Sequence, residues 1–464
     1  MSPAAHARGK PIINCIKISL KIFVRIVSAV VCLAALTTTG HADLKQWPEG
    51  GFRGISLPLI APVDGNSQDP GAFLSEATFQ KIAQWRVNCV RLVISFDAGS
   101  IWDVPGGTAI PPVPAGDPMA PYRTNLAALR VALPLAKKYG IAVILLCEPL
   151  GRYVPVSYEP GHNTGGWQDG YIQLWKNVAQ EFGSHPGVIG YDLLNEPHGA
   201  DEGARWRNIL LPLVQNEIRA VDTNTYLVVE PWEWSFPSAF ATFAPLADAR
   251  VVYSFHHYTP HGYTHQKIYG YTGPDYDDKP YPGLLCTFTP PPVLWDKVAL
   301  ENSMQAVFDF QATNNAIIWV GEFSALRWAP GAAQWVKDSI EIFERHHLSW
   351  NFHMYGGWNG WNPTFDATDP SNNNLEGGKA TDRLQMLREG WQKNPILLAA
   401  LRLDGGEFQF TATGLTVGRT NLLQVSANLI SWTPHRTNVA ADFSMTFTNA
   451  TAGRAQFFRL TELP

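Results

Sequence analysis

The stretch VIGYDLLNEP, residues 188–197, is the part of the sequence that decides the fold. Its β-branched and aromatic residues predict a buried strand, and Pro197 ends that strand. Asn195 and Glu196 stand directly at the strand end. Because a carboxylate is costly to bury without a partner, this position indicates a functional site and not simply more core.

Eight stretches of this kind occur, separated by longer amphipathic stretches. They cover residues 52–57, 89–96, 141–148, 188–196, 226–234, 251–258, 317–323 and 348–355. Between them, residues 125–140 and 171–187 repeat apolar side chains at the helical period, with stops at Gly140 and Gly183. Nearly continuous apolar strands that alternate with helices predict a buried parallel sheet. We therefore predict an α/β fold, a (β/α)8 TIM barrel; a doubly wound open sheet is the alternative.

The sequence pattern changes after about Arg402. Short alternating strands at regular spacing, such as EFQFTATGL and AQFFRLT, replace the helical pattern. We predict a signal peptide over residues 1–42, the barrel over 43–402 and a small all-β, β-sandwich-like module over 403–464. The alternative for the last segment is a C-terminal extension that packs onto the barrel.

The first 42 residues have the pattern of a secretory signal. Five basic residues precede the first acidic residue, Asp43. An apolar run over residues 26–36 is too short to span a bilayer, and small residues come before Ala42. This pattern predicts a secreted or periplasmic protein that has no membrane contact once the signal is removed. The alternative is an N-terminal membrane anchor.

Charge and cysteine usage limit the partners. The chain has 35 basic and 40 acidic residues, and removing the five basic residues of the signal lowers the basic count to 30 and the net charge to −10. An acidic surface is repelled by phosphate backbones, so we expect no nucleic-acid partner. The later cysteines, Cys89, Cys147 and Cys286, are too widely spaced for a zinc motif or a disulfide framework. We expect a monomer without a metal or a cofactor.

Polar and charged residues collect where the predicted strands end. In a (β/α)8 barrel, the loops that follow the strands build the active site. Three long stretches, 97–124, 149–168 and 259–294, are predicted loops and belong to the same face. The residues at or near the predicted strand ends are Asp97, Glu148, Glu196, Glu233, His256, His257, Tyr258, Glu322 and His353.

Glu196 and Glu322 end the fourth and seventh predicted strands in the same way. These strands lie across the barrel from each other, so both carboxyl groups point into one opening. Glycoside hydrolysis needs such a pair, with one acid to protonate the leaving oxygen and one carboxylate to attack the sugar. The alternative is that each glutamate forms a structural ion pair with an arginine.

The sequence IGYDLLNEPH, residues 189–198, resembles the signature of glycoside hydrolase family 5, the cellulase-type retaining enzymes. The resemblance extends from the second to the eighth strand. It implies that Glu196 is the general acid/base, that Glu322 is the nucleophile and that Asn195 binds the sugar 2-hydroxyl group.

Two further motifs match this family. FHHYTP, residues 255–260, resembles the strand-six motif Phe-His-x-Tyr-x-Pro, which implies site roles for His256 and for Tyr258 as the group that orients the nucleophile. Arg91 matches the strand-two arginine that lies near the nucleophile. His257 is expected to point away from His256, out of the site.

Two positions depart from the family pattern. The family commonly has Asp-x-His after strand three, where this chain has Leu146 and Glu148. Glu148 is a candidate to contact a sugar hydroxyl group instead. Many members have a tryptophan platform after strand eight, where this chain has His353, followed by Trp358. Trp358 is a candidate sugar platform, and core packing is the alternative.

Together these features predict a secreted retaining β-glycosidase whose partner is a β-linked polysaccharide or its oligosaccharides. The leading substrate is β-1,4-glucan, and mannan, mixed-linkage glucan and β-1,3-glucan are the alternatives. A carbohydrate-binding protein on a degenerate barrel is the alternative from a different class, because the strand-three motif is altered.

Overall fold

The computed structural model of the chain describes twelve segments. They are residues 28–31, 45–58, 74–94, 122–147, 167–198, 206–356, 358–365, 380–394, 396–404, 407–442, 444–450 and 457–463. In these segments, no helix combines the length and the hydropathy needed to cross a membrane.

Eight parallel strands close into a barrel, which confirms the predicted fold. They are β1 (Arg53–Pro58), β2 (Cys89–Ile94), β3 (Ala142–Cys147), β4 (Val188–Asp192), β5 (Tyr226–Val229), β6 (Val251–His257), β7 (Ile317–Phe323) and β8 (Ser349–Phe352). Each strand pairs with the next one in the sequence, and the barrel closes where β8 pairs with β1. The carboxyl ends of all eight strands therefore meet at one opening, called the mouth below.

The interior of the barrel is filled below the mouth. Side chains two residues apart on a strand share a face, so Cys89 and Arg91 of β2 both point inward. Cys89 belongs to a small apolar cluster with Ile144, Val228 and Trp319. This cluster forms a floor, and Arg91 lies one layer closer to the mouth.

Amphipathic helices surround the barrel and supply most of the larger core. Three of them begin at a side-chain cap, in which Ser75, Asp296 or Thr381 accepts a hydrogen bond from a backbone N–H of the first turn. The main helices are Glu76–Gln84, Arg123–Lys138, Trp167–Phe182, Leu211–Arg219, Lys297–Ser303, Gln305–Asn314, Ala332–Arg345 and Asp382–Trp391.

Several strands end earlier than the sequence pattern predicted, and β4 and β5 show the largest differences. β4 ends at Asp192 and not at residue 196, and β5 ends at Val229 and not at residue 234. Beyond these ends, Glu196 has φ 45°, and the three consecutive residues 233–235 have φ values of 69°, 57° and 56°. Left-handed residues cannot continue a strand ladder, so the chain turns here and presents polar side chains to the mouth.

The three predicted long loops differ in how far they are described. The stretches 97–124 and 149–168 lie almost entirely outside the described residues. The stretch after β6 carries a short helix, His261–Thr264, and a hairpin of Gly283–Leu285 with Val293–Trp295. This loop therefore has secondary structure of its own.

The C-terminal part contains two antiparallel sheets. Its apolar cluster, which includes Ile396, Phe410, Leu423 and Phe447, is separate from the clusters of the barrel. The strand Thr433–Val439 lies at a sheet edge and is almost entirely exposed. The first sheet contains Leu397–Asp404, Glu407–Thr413 and Ser444–Ala450; the second contains Ser28–Val31, Phe457–Glu462, Thr420–Ser426 and Thr433–Val439.

Two strands bear on the predicted segment boundaries. Leu397–Asp404 spans the predicted boundary at residue 402, and Ser28–Val31, within the predicted signal, pairs with Phe457–Glu462. The division at 43–402 and 403–464, and the removal of residues 1–42, stay predictions.

Candidate active site

The mouth of the barrel brings together side chains from six strands or from the residues that follow them. The group includes every site residue predicted on β2, β4, β6 and β7, and it adds two acidic residues that the sequence interpretation missed. Its members are Arg91, Asp192, Asn195, Glu196, Glu230, His256, Tyr258, Glu322 and His353.

Arg91 is the centre of this group, and its side chain is 0% exposed. Its Nε donates to Asp192 at 2.8 Å, and one Nη donates to Glu322 at 2.5 Å. The other Nη donates to Asn195 at 3.0 Å and to Glu230 at 3.1 Å. The planar guanidinium thus fixes residues of β4, β5 and β7 relative to one another. Burial raises the pKa of Asp192 to about 8, even though Arg91 favours its ionised form.

Glu322 lies in surroundings that favour its ionised form. Tyr258 donates a hydrogen bond to its Oε2 at 2.7 Å, and Nδ1 of His353 lies 3.5 Å from the same oxygen. Burial alone would raise the pKa of Glu322, but the histidines, Arg91 and Tyr258 lower it far below the ordinary value. Burial lowers the pKa of His353, which favours its neutral form. His256 and Arg91 are therefore the positively charged groups beside Glu322.

Glu196 lies in surroundings of the opposite kind. Its side chain remains 22% exposed, and its Oε1 lies 2.6 Å from Nδ1 of His256. Burial raises its pKa; His256 opposes the rise, and the nearby carboxylates of Glu322 and Glu230 add to it. The net result is a pKa above the ordinary value, so Glu196 keeps its proton to higher pH than an exposed glutamate.

Glu196 and Glu322 face each other closely. A carboxyl oxygen of each and a ring nitrogen of His256 all lie within 4.8 Å of one another. Three such donors are also a spacing that could hold a divalent ion. Here, however, Arg91 and Tyr258 already bind Glu322. Burial alone would lower the pKa of His256, but the carboxylates around the ring raise this pKa well above the ordinary value. A doubly protonated imidazole has no lone pair for a metal, so the arrangement suits proton transfer better than metal binding.

An aromatic cluster lines one side of the mouth. Trp361 lies with its ring centroid 5.7 Å from Tyr258 and 6.4 Å from His353. Trp358 packs edge-on against Trp361 at 5.9 Å and against Trp328 at 5.6 Å, and it remains half-buried. Trp358 therefore takes part in packing and also leaves part of its ring at the surface, so both interpretations of this residue stay open.

Of the two residues of the altered strand-three motif, the structure describes Leu146 and not Glu148. Leu146 is buried in β3. Glu148 lies outside the described residues, so its predicted contact with substrate stays a prediction. His257 points away from the mouth, as expected: it is fully buried and stacks on Trp335 of the surrounding helix layer at 5.0 Å.

The sequence interpretation chose the wrong glutamate after β5. It placed Glu233 at the strand end, but Glu233 is exposed and Glu230 is the buried residue that contacts Arg91 and His256. The signal was present, because Glu230 directly follows the apolar run of Tyr226–Val229. Asp192 was hidden within a stretch that was interpreted as continuous strand.

Two carboxyl groups at the mouth of a parallel barrel, with pKa values shifted in opposite directions, are the arrangement that glycoside hydrolases use. A family model described as cellulase (glycosyl hydrolase family 5) matches residues 49–356, more than half of the chain. The chain belongs to glycosyl hydrolase family 5 and is a glycoside hydrolase. The family assignment therefore favours an enzyme over the alternative of a non-catalytic carbohydrate-binding barrel.

Individual relatives are more distant. Endoglucanase C of Acetivibrio thermocellus is 21% identical over an alignment of 304 residues that covers 60% of this chain and 84% of that protein. An endoglycoceramidase of Cyanea nozakii is 33% identical over an alignment of 115 residues that covers 21% of this chain and 23% of that protein. Endoglucanase Cel5A of Thermotoga maritima matches with a TM-score of 0.55 at 21% identity, covers 72% of this chain and 96% of its own, and supports the fold.

Arg91→Met should lower the free energy of unfolding by about 3–5 kcal/mol, because three carboxyl groups lose their buried cation. Arg130→Met is the matched control, since Arg130 also binds a carboxylate with two nitrogens, at 2.7 and 3.0 Å, but is 53% exposed. The control should cost about 1 kcal/mol or less. Urea unfolding of both variants checks this, and equal losses would contradict the central role of Arg91.

Proposed function

We propose that this protein is a retaining β-glycosidase that cleaves β-1,4-glucan, with Glu322 as nucleophile and Glu196 as general acid/base. The observation that supports this most is the distance below 4.8 Å between their carboxyl oxygens. Retaining enzymes hold the two groups about 5–5.5 Å apart, whereas inverting enzymes need about 6.5–9.5 Å to admit a water molecule.

In the first step, a carboxylate oxygen of Glu322 bonds to the anomeric carbon, and the bond from that carbon to the leaving oxygen breaks. The proton of Glu196 moves to the leaving oxygen. The lowered pKa of Glu322 keeps the nucleophile ionised, and the raised pKa of Glu196 keeps the acid protonated.

In the second step, water attacks the anomeric carbon and gives a proton to Glu196, and the bond to Glu322 breaks. Two inversions leave the anomeric configuration unchanged. Tyr258 and Arg91 hold Glu322 in place for both steps, because each binds a different oxygen of its carboxylate. In this proposal Asn195, whose side-chain oxygen accepts from Arg91, binds the sugar 2-hydroxyl group.

β-1,4-Glucan is the leading substrate because the family model is described as cellulase and a relative is named endoglucanase. Mannan, mixed-linkage glucan and β-1,3-glucan remain alternatives. We also propose a secreted or periplasmic location, supported by the basic and apolar pattern of residues 1–42.

A second candidate substrate is a glycolipid. The match to an endoglycoceramidase has higher local identity, 33%, than the 21% match to endoglucanase C. In addition, the hairpin after β6 exposes apolar side chains on the mouth side of the barrel: Leu284 is 62% exposed and Leu294 is 61% exposed. Exposed apolar side chains in a loop that follows a barrel strand are what a lipid aglycone would need.

The two substrate classes are separated by a product assay. We expect release of cellobiose and glucose from cellotetraose, and little release of sugar from glucosylceramide in detergent micelles. Mannotetraose and laminaritetraose complete the panel. The opposite preference, for glucosylceramide, would replace the glucan assignment and leave the mechanism intact.

Alanine variants should separate the roles of the two glutamates. With azide and an activated aryl β-cellobioside, Glu196→Ala should give the β-glycosyl azide, because azide replaces water in the second step. Glu322→Ala should give the α-glycosyl azide, because azide attacks directly from the other face. NMR of the products decides, and Glu233→Ala, at an exposed position, is the control that should behave like the wild type. Identical anomers from both variants would contradict the assignment.

The pH dependence of kcat/KM should be bell-shaped. Activity needs ionised Glu322, whose pKa is lowered, so the acidic limb should lie below the ordinary glutamate pKa of 4.5. Activity also needs protonated Glu196, whose pKa is raised, so the basic limb should lie above that value. Initial rates on cellotetraose at varied pH check this. A basic limb below the ordinary value would contradict the role of Glu196 as the acid.

A further inference from the structure

Glu230 is a third glutamate at the mouth, and its carboxyl group is surrounded by donors. Its side chain is fully buried directly after β5. Its Oε2 accepts hydrogen bonds from the backbone N–H of Glu196 at 2.8 Å and from the hydroxyl of Ser235 at 2.5 Å. Its Oε1 accepts from Arg91 at 3.1 Å and lies 3.2 Å from Nε2 of His256. Burial alone would raise the pKa of Glu230, but these donors and His256 lower it below the ordinary value, so the carboxylate is ionised.

His256 connects Glu230 to Glu196. The ring is 1% exposed, its Nδ1 lies 2.6 Å from Glu196, and its Nε2 lies 3.2 Å from Glu230. A carboxyl group on each ring nitrogen favours the doubly protonated imidazolium. The charge that Glu196 faces through His256 therefore depends on Glu230 at the far side of the ring.

Glu230 also holds the backbone of the site. Glu196 has φ 45° and Ser235 has φ 56°, conformations that cost about 1–2 kcal/mol for a residue other than glycine. Both residues are bound by the same carboxylate oxygen, through the Glu196 N–H and the Ser235 hydroxyl. Left-handed residues persist when the surrounding contacts hold them, and Glu230 supplies one such contact to each of these two residues.

We propose that Glu230 is the positioning residue for the acid/base Glu196: its buried carboxylate fixes the Glu196 peptide and sets, through His256, the charge beside the Glu196 carboxyl group. This inference rests on the proposed function of Glu196. Glu230 acts through other residues and not on the substrate. The other titratable or charged groups around this set are Arg91 of β2, Asp192 of β4, His198 at the Glu196 carbonyl oxygen, Tyr258 after β6, Tyr269 in the following loop, Glu322 of β7 and His353 after β8.

The first test is Glu230→Gln, which keeps the size of the side chain and removes its charge. The amide NH2 must then face either Arg91 and His256 or the Glu196 peptide and Ser235, so one of these two sets of contacts is lost. Loss of this negative charge also lowers the pKa of His256, so the ring should give up its second proton at lower pH than in the wild type.

The readout compares two substrates in the same protein preparation. Cellotetraose needs a proton on its leaving oxygen, whereas 2,4-dinitrophenyl β-cellobioside does not. Glu230→Gln should lower kcat/KM by about 10²-fold on cellotetraose and by less than about tenfold on the aryl glycoside. A misfolded fraction would lower both rates equally and leave their ratio unchanged.

Two further variants serve as controls. Glu233→Gln makes the same chemical change at an exposed position three residues away and should leave the ratio and the pH profile unchanged. Glu230→Asp keeps the charge with a shorter side chain, so it should lower the rate on cellotetraose while His256 titrates close to its wild-type pH.

Equal losses on both substrates, which leave the ratio of the two rates unchanged, would overturn the proposal. NMR of the His256 ring nitrogens gives a test without substrate. Both nitrogens should stay protonated to higher pH in the wild type than in Glu230→Gln, and identical titration would overturn the link through His256. If the wild type cleaves neither substrate, the proposed function fails, while this NMR comparison still decides whether Glu230 sets the charge of His256.

Discussion

The structure depends on one buried cation. The Arg91 guanidinium has no access to solvent and binds acidic residues from β4, β5 and β7. Transfer of a charge into a protein interior costs several kcal/mol, and good pairing geometry is needed to offset it. The acidic side chains at the ends of β4, β5 and β7 must therefore reach Arg91. They can do so only when the barrel is closed with these strands in register.

The same cation explains how two glutamates in one mouth acquire different properties. Arg91 touches Glu322 directly but reaches Glu196 only through Asn195 and Glu230. The cation and the Tyr258 hydroxyl stabilise the charge on Glu322, while Glu196 faces carboxylates and one histidine. The division of roles that we propose follows from position and not from residue type.

Much of this arrangement was visible in the sequence. Buried parallel strands are nearly continuous apolar runs, so all eight were found, and the polar residues at the ends of β4 and β7 identified the facing carboxyl groups. The choice of Glu233 over Glu230 was wrong because the strand was assumed to continue. The turn after β5 depends on left-handed residues whose partners come from other strands, and spacing along one strand does not reveal them. The role of Trp358 stayed open for a similar reason, since one of its neighbours, Trp328, comes from a different segment of the chain.

The exposed strand Thr433–Val439 has a consequence for the behaviour of the protein at high concentration. A free sheet edge can recruit strands from other molecules and begin aggregation. This edge contains Pro434, which lacks an N–H to donate, and Arg436, which carries a charge, and its pairing with the neighbouring strand is irregular at Leu423 and Gln424. A second molecule would therefore meet an interrupted row of donors and a positive charge, which protects the C-terminal sheets from edge-to-edge polymerisation.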